Sequence, residues 1–132
     1  MATVTTLSSS ARGNSPRGRT PYLVQNSIDF GAAATAKGTA LAAADIIEAI
    51  TVPANTMILD AGFEVTTVHA GTSTDCALDL GVTGTDVDAY VDGFDFDAAS
   101  AGDYSVGAGN GPITIGATAD TLDVLIQAQT GT

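Results

Sequence analysis

Few side chains in this 132-residue chain could do chemistry, and their spacing limits what they could do. His69 is the single histidine, and Ser73 and Asp75 follow it closely in the turn-rich stretch His69-Ala70-Gly71-Thr72-Ser73-Thr74-Asp75. A Ser–His–Asp triad needs a nucleophile on a strained turn and a base oriented by the carboxylate. Three neighbours in one turn, with no G-x-S-x-G elbow, do not supply that geometry. The stretch reads as a solvated turn, and no catalytic residue is expected. The run Asp86, Asp88, Asp92, Asp95 and Asp97 begins like a calcium loop, with acids at alternate positions. A calcium loop of the helix–loop–helix kind also needs a third oxygen ligand, a glycine and a closing glutamate. Here Tyr90 takes the third ligand position and no Glu closes the run. No metal ligand is assigned, although irregular divalent-ion sites occur in β-sandwich loops. The plainer reading is an exposed acidic loop whose Tyr90, Val91, Phe94 and Phe96 tuck under a sheet.

Other chemistries fare no better. Paired carboxylates that cleave glycosides sit in aromatic clefts, and three Tyr, four Phe and no Trp are a poor supply. Cys76 is the only cysteine, so neither an internal disulfide nor a cysteine cluster is available. It lies on an apolar strand face and is expected to be a buried structural thiol. Gly107, Gly109 and Gly111 precede Pro112 rather than a helix, which makes them turn glycines and not a phosphate cradle. No cofactor is expected.

The elements that would carry these residues read as strands. From Met57 to Val68, Met57, Leu59, Ala61, Phe63 and Val65 alternate with Asp60, Gly62, Glu64 and Thr66. A period of two marks a strand with one wet face, here about 40 Å long at roughly 3.3 Å per residue. Pro53 and Asn55 suit a tight turn, so Val52–Thr56 is predicted to be a β-hairpin tip. Tyr22, Val24, Ile28 and Phe30 share the face of a further strand, with Asn26 the polar exception. Residues 31–44 are rich in Ala but interrupted by Gly38 and Thr, which suggests a loop with a helical turn. In 45–52, Ile46, Ile47 and Ile50 fit a helix face, but β-branching and the Pro53 turn favour a strand. Cys76, Leu78, Leu80 and Val82 alternate with smaller or polar residues and predict a strand. Residues 83–112 read as a long Gly/Asp-rich excursion, of a length usually functional or interfacial. Ile113–Ala117 and Thr121–Ala128 close the chain as strands, with Leu122, Val124, Ile126 and Ala128 on one face. Six strands without βαβ alternation predict an all-β fold, with a β-sandwich or jelly-roll-like body over 21–132.

Charge divides the chain in two. The formal net charge is −11, from 15 acids and four bases. Arg12, Arg17 and Arg19 lie in the first twenty residues, which leaves Lys37 alone against every acid in the remainder. An acidic body repels a phosphate backbone, so no nucleic-acid partner is expected. Residues 1–20 are polar and Pro-punctuated, with little to offset the entropy of ordering, and read as an extended N-terminal arm that orders on a partner. The start MATVTTLSSS lacks the basic and apolar regions of a secretion signal. No stretch approaches the roughly 18 apolar residues of a membrane span. Assembly in a cytoplasm is expected, and no membrane partner.

The segment A-K-G-T-A-L-A-A-A-D-I-I-E-A-I-T-V-P-A-N-T-M-I-L-D-A-G-F-E-V-T (Ala36–Thr66) resembles a group of tailed-bacteriophage virion proteins, the head decoration or cement proteins. R-G-R-T-P-Y-L-V (Arg17–Val24), V-D-G (Val91–Gly93) and A-D-T-L-D-V-L-I (Ala119–Ile126) extend the likeness over most of the chain. The resemblance implies a non-enzymatic structural protein on the capsid exterior, with the major capsid protein as partner. It implies a homo-oligomer, a trimer being favoured and a dimer the other known arrangement. It makes residues 1–30 the capsid-contacting arm and its root, with Arg12, Arg17, Arg19 and Tyr22 as contacts. Similar proteins often continue with another apolar strand, whereas this chain ends in a polar tail at Thr132. A last sheet edge left open, or paired by something else, is therefore expected. A phage fibre-like or carbohydrate-binding module, with the 83–112 loops as its site, is the alternative.

Overall fold

The computed structural model describes residues 21–107 and 112–130. Its fold is all-β with one short helix. Along the chain run α1 (Phe30–Lys37), β1 (Ile46–Val52), β2 (Met57–Ile58), β3 (Gly62–Glu64) and β4 (Asp75–Val82). Then follow β5 (Asp86–Asp95), β6 (Tyr104–Val106), β7 (Ile113–Thr114) and β8 (Asp120–Thr130). The long apolar strands form one antiparallel sheet in the order β1-β8-β4-β5. The short strands form two antiparallel ladders, β2 with β7 and β3 with β6.

Alternation along β4 and β8 sets the core. Cys76, Leu78, Leu80 and Val82 on β4 and Leu122, Val124 and Ile126 on β8 are buried, together with Ile47 and Val52 of β1. From the ladders, Ile58, Ala61, Phe63 and Ile113 pack against this cluster. Phe63 meets Phe94 edge-to-face at 4.8 Å, and the Tyr90 hydroxyl donates to the Ile58 carbonyl at 3.2 Å. These two contacts tie the ladders to β5. Because β8 lies between β1 and β4, it is an interior strand. The edges of the main sheet are β1 and β5, not the C-terminal strand.

The turn at 52–56 forms, with Asn55 at φ 59°, but it is a corner rather than a hairpin tip. β1 pairs with β8 while β2 pairs with β7, so the chain leaves the main sheet there. The single strand predicted over Met57–Val68 is two short strands. Between them Asp60 Oδ1 accepts from the Ala61 N–H at 2.8 Å, a local bond in place of a ladder bond. The alternation changes phase across this break. Ile58 packs inward before it and Phe63 after it, leaving Met57 and Leu59 exposed.

Residues 21–29 keep the predicted alternation without a ladder. Val24, Asn26 and Ile28 are half-buried, and Asn26 Nδ2 donates to the Ala49 carbonyl on the β1 edge at 2.9 Å. The Ala-rich segment forms the two turns of α1 because both ends are capped. Asp29 Oδ1 accepts from Gly31 N and Ala32 N, and Gly38 at φ 86° donates back to Ala34 and Thr35. Much of the expected 83–112 excursion is regular: β4 and β5 form a hairpin around Thr83–Thr85, and β6 follows. The irregularity that hid β5 lies in its register. Leu80 pairs with Val91 and Val82 with Asp86, so four residues of β5 face Gly81 alone. A Cβ on Gly81 would lie 2.2 Å from the Asp86 carbonyl oxygen, which shows how closely β5 crosses over it.

Candidate functional site

Two carboxylates are buried, and strongly perturbed acids cluster at functional sites. Asp79 and Asp123 alternate with core residues on β4 and β8 and so lie on the opposite face of the sheet, yet both are buried. Each acts locally. Asp79 Oδ1 accepts from Gly93 N at 2.7 Å, clasping a bulge where Gly93 has φ 66°. Burial raises the Asp79 pKa, and the Gly93 bond only partly opposes this. Asp123 Oδ2 accepts from the amide of Thr83 at 3.2 Å and from its hydroxyl, pinning the β4–β5 turn. Its Oδ1 is buried without a hydrogen-bond partner. Among the described residues, the hydrogen-bond partners of the two acids are Gly93 and Thr83, and neither partner is a histidine.

The acidic run is dispersed. Asp86 and Asp88 share a side-chain hydrogen bond that raises the Asp86 pKa. Asp92 accepts from Gln127 at 3.5 Å, Asp95 accepts from Ala98 N at 3.1 Å, and Asp97 lies 3.4 Å from His69 Nδ1. Among the described residues, no three His, Cys, Asp or Glu side chains converge on a point that could hold a metal ion. His69 also meets the Phe96 ring at 5.8 Å, while Ser73 donates to the Asp75 carbonyl at 2.9 Å. The structure therefore does not bring His69, Ser73 and Asp75 together as a triad. Cys76 is buried, and desolvation raises its thiol pKa. No helix among the described residues is long and apolar enough to cross a membrane.

Two surface features remain. One is an open hollow of about 350 Å³ walled by Phe94, Asp95, Ala98, Ala99, Gly102, Asp103 and Tyr104. The other is a set of exposed apolar side chains on and beside the ladder strands, Met57, Leu59, Tyr104 and Val106.

No family model, curated protein or solved structure matches this chain.

Of the expected contact residues, Tyr22 is described and is 40% exposed. Arg12, Arg17 and Arg19 lie outside the described residues, as does the whole arm over 1–20. The exposed side of the ladders is not foreseen by the sequence reading. That reading assigns Met57 and Leu59 to the core face and passes over Tyr104 and Val106, although both flank Ser105 at strand spacing. A three-residue alternation inside a Gly/Asp-rich stretch was the available signal.

Proposed function

We propose that this chain is a non-enzymatic virion structural protein that decorates and stabilises a bacteriophage capsid. It binds the outer surface of the major capsid protein and stays on the virion exterior after assembly in the host cytoplasm. The body over 21–132 is read as a jelly-roll-like sandwich, and residues 1–20 as the arm laid on the shell. Copies associate around capsid symmetry positions, a trimer being favoured.

The observation that carries the proposal is the division of charge. Three of the four bases lie in the first twenty residues, and all 15 acids lie beyond them. Arg12, Arg17 and Arg19 can hold acidic capsid groups bidentately, and the acidic body keeps clear of nucleic acid. The likeness of Ala36–Thr66 to cement proteins supports the same reading. Many symmetric copies then resist outward pressure by multivalency rather than by one strong contact.

The test is deletion of residues 1–20. The truncated body is expected to stay folded by circular dichroism and to lose binding to empty heads of the phage that encodes it. Equal decoration by truncated and full-length chains refutes the arm. A second reading, a fibre-like or carbohydrate-binding module, is favoured by the hollow at Phe94 and Tyr104, where rings stand beside Asp95 and Asp103. Glycan-array binding abolished by Tyr104→Ala, with no binding to heads, would select it.

A further inference from the structure

Seven large apolar side chains are exposed among the described residues, and four of them flank, or pair with residues that flank, the core-packed Ile58 and Phe63 of the ladders. Met57 is 56% exposed, Leu59 52%, Tyr104 72% and Val106 56%. The β3–β6 register accounts for two of them. Glu64 pairs with Tyr104 and Gly62 with Val106, with the core-packed Phe63 between them. A Cβ on Gly62 would come within 2.8 Å of Val106 Cγ2. Val106 therefore lies close against the bare backbone of Gly62. Together the four side chains present on the order of 400 Å² of side-chain surface to solvent. Asp60, Glu64 and Asp103 are exposed beside them.

We propose that this ladder face docks on a protein surface with an apolar centre and a rim of Lys or Arg. On the reading above, on which this inference rests, that surface belongs to the outside of the capsid shell. Charge decides between this partner and a second copy. The only base among the described residues is Lys37, and it is bound to Asp45 at 2.5 Å. Two copies placed face to face would set acids against acids around the apolar centre, which is destabilising. A basic-rimmed partner satisfies the same acids. The face is also opposite in sign to the arm, so the two contacts need different patches on the shell. Two contacts of opposite polarity would fix the orientation of each copy, which a single arm would leave free to swivel.

The test uses the full-length chain and empty heads of the encoding phage, with bound copies counted after sedimentation. The double variant Leu59→Ser/Tyr104→Ser removes two exposed apolar anchors and is expected to bind about 30-fold more weakly, as loss of a central hot spot does. Glu64→Lys is expected to bind about 10-fold more weakly, with the larger deficit at low salt. All substituted positions are exposed, so unfolding midpoints should match wild type. As a check independent of these substitutions, a photo-crosslinking residue at position 59 is expected to trap the major capsid protein. Wild-type decoration with an undiminished double variant overturns this inference alone. Failure of the wild type to decorate overturns both this inference and the proposed function. Crosslinking only to another copy, or a smaller free oligomer in the double variant, also overturns the inference.

Discussion

Gly81→Ala tests the feature of the fold that organises β5. The added Cβ would lie 2.2 Å from the Asp86 carbonyl oxygen, 2.4 Å from the Val87 carbonyl carbon and 2.6 Å from the Val87 oxygen. All three obstacles are backbone atoms, so no side chain can rotate away. Relief requires β5 to retreat by about 1.5 Å, the gap between this contact and ordinary van der Waals distance. β5 is not free to retreat. Its register fixes Asp86 opposite Val82, and Tyr90, 2% exposed, anchors its middle to Ile58. Overpacking of this kind costs about 1–3 kcal/mol, and a rigid obstacle places it near the upper end. The lower chain entropy of Ala in the unfolded state returns about 0.5 kcal/mol, leaving a net loss of about 2.5 kcal/mol. Urea unfolding followed by far-ultraviolet circular dichroism reads this as a midpoint about 1–2 M lower at unchanged slope. Gly116→Ala is the control, because nothing lies within 4 Å of its Cβ position; it should stay within about 0.5 kcal/mol of wild type. A Gly81→Ala midpoint indistinguishable from that control would refute the close crossing of β5 over β4.

Two further substitutions probe the carboxylates. Asp79→Asn keeps an oxygen for the Gly93 amide but removes a buried charge, and should stabilise the protein at pH 7 by on the order of 1 kcal/mol. Because burial raises the Asp79 pKa, the native state holds a proton that the unfolded state has lost only between the ordinary carboxylate range and the raised value. Its contribution is full below the ordinary carboxylate range and is lost as pH rises through the raised value. The advantage of Asn should therefore fade on acidification, and an Asn variant less stable at pH 7 would contradict this. Lys37→Met removes the partner of Asp45, whose pKa is lowered chiefly by the Lys37 hydrogen bond. That contribution is present above the ordinary carboxylate range and is lost as pH falls through the lowered value. The variant should lose about 0.5–1 kcal/mol at neutral pH and nothing in strong acid. A loss that is constant with pH would assign the effect to packing of the lysine stem instead.

The strands that were legible in the sequence are those whose alternation runs unbroken beside a buried neighbour. β4 and β8 show it plainly, because Leu78, Leu80 and Val82 and Leu122, Val124 and Ile126 all face one core. What the sequence hid has local causes. The change of phase falls at Asp60, whose side chain accepts from the Ala61 amide, a bond that residue types alone do not announce. β5 is masked because four of its residues face Gly81, and its Asp residues look like loop chemistry. Residues 21–29 alternate as a strand would, but Asn26 meets β1 through its side chain and no ladder forms. The helix follows from its caps more than from its Ala content. The exposed ladder face is the costliest omission, since Met57 and Leu59 are core residues if the strand is continuous and surface residues once it breaks.

The energetics of the proposed decoration depend on both contacts together. An apolar face on the order of 400 Å² is about half of what one partner contributes to a standard stable interface. Alone it would hold a copy only weakly. An arm of twenty residues can reach about 65 Å when extended, far enough to engage groups well away from the body. Once the ladder face is seated, arm binding becomes intramolecular, and its effective concentration is set by the root at 21–29. Asn26 pins that root to β1, and the Asp29 cap fixes where α1 begins. The arm would therefore leave the body from a fixed point. Weakening that root, for instance with Asn26→Ala, would lower the reach of the arm in register without touching either contact. On this reading the fold supplies geometry, and the two oppositely charged surfaces supply the attraction.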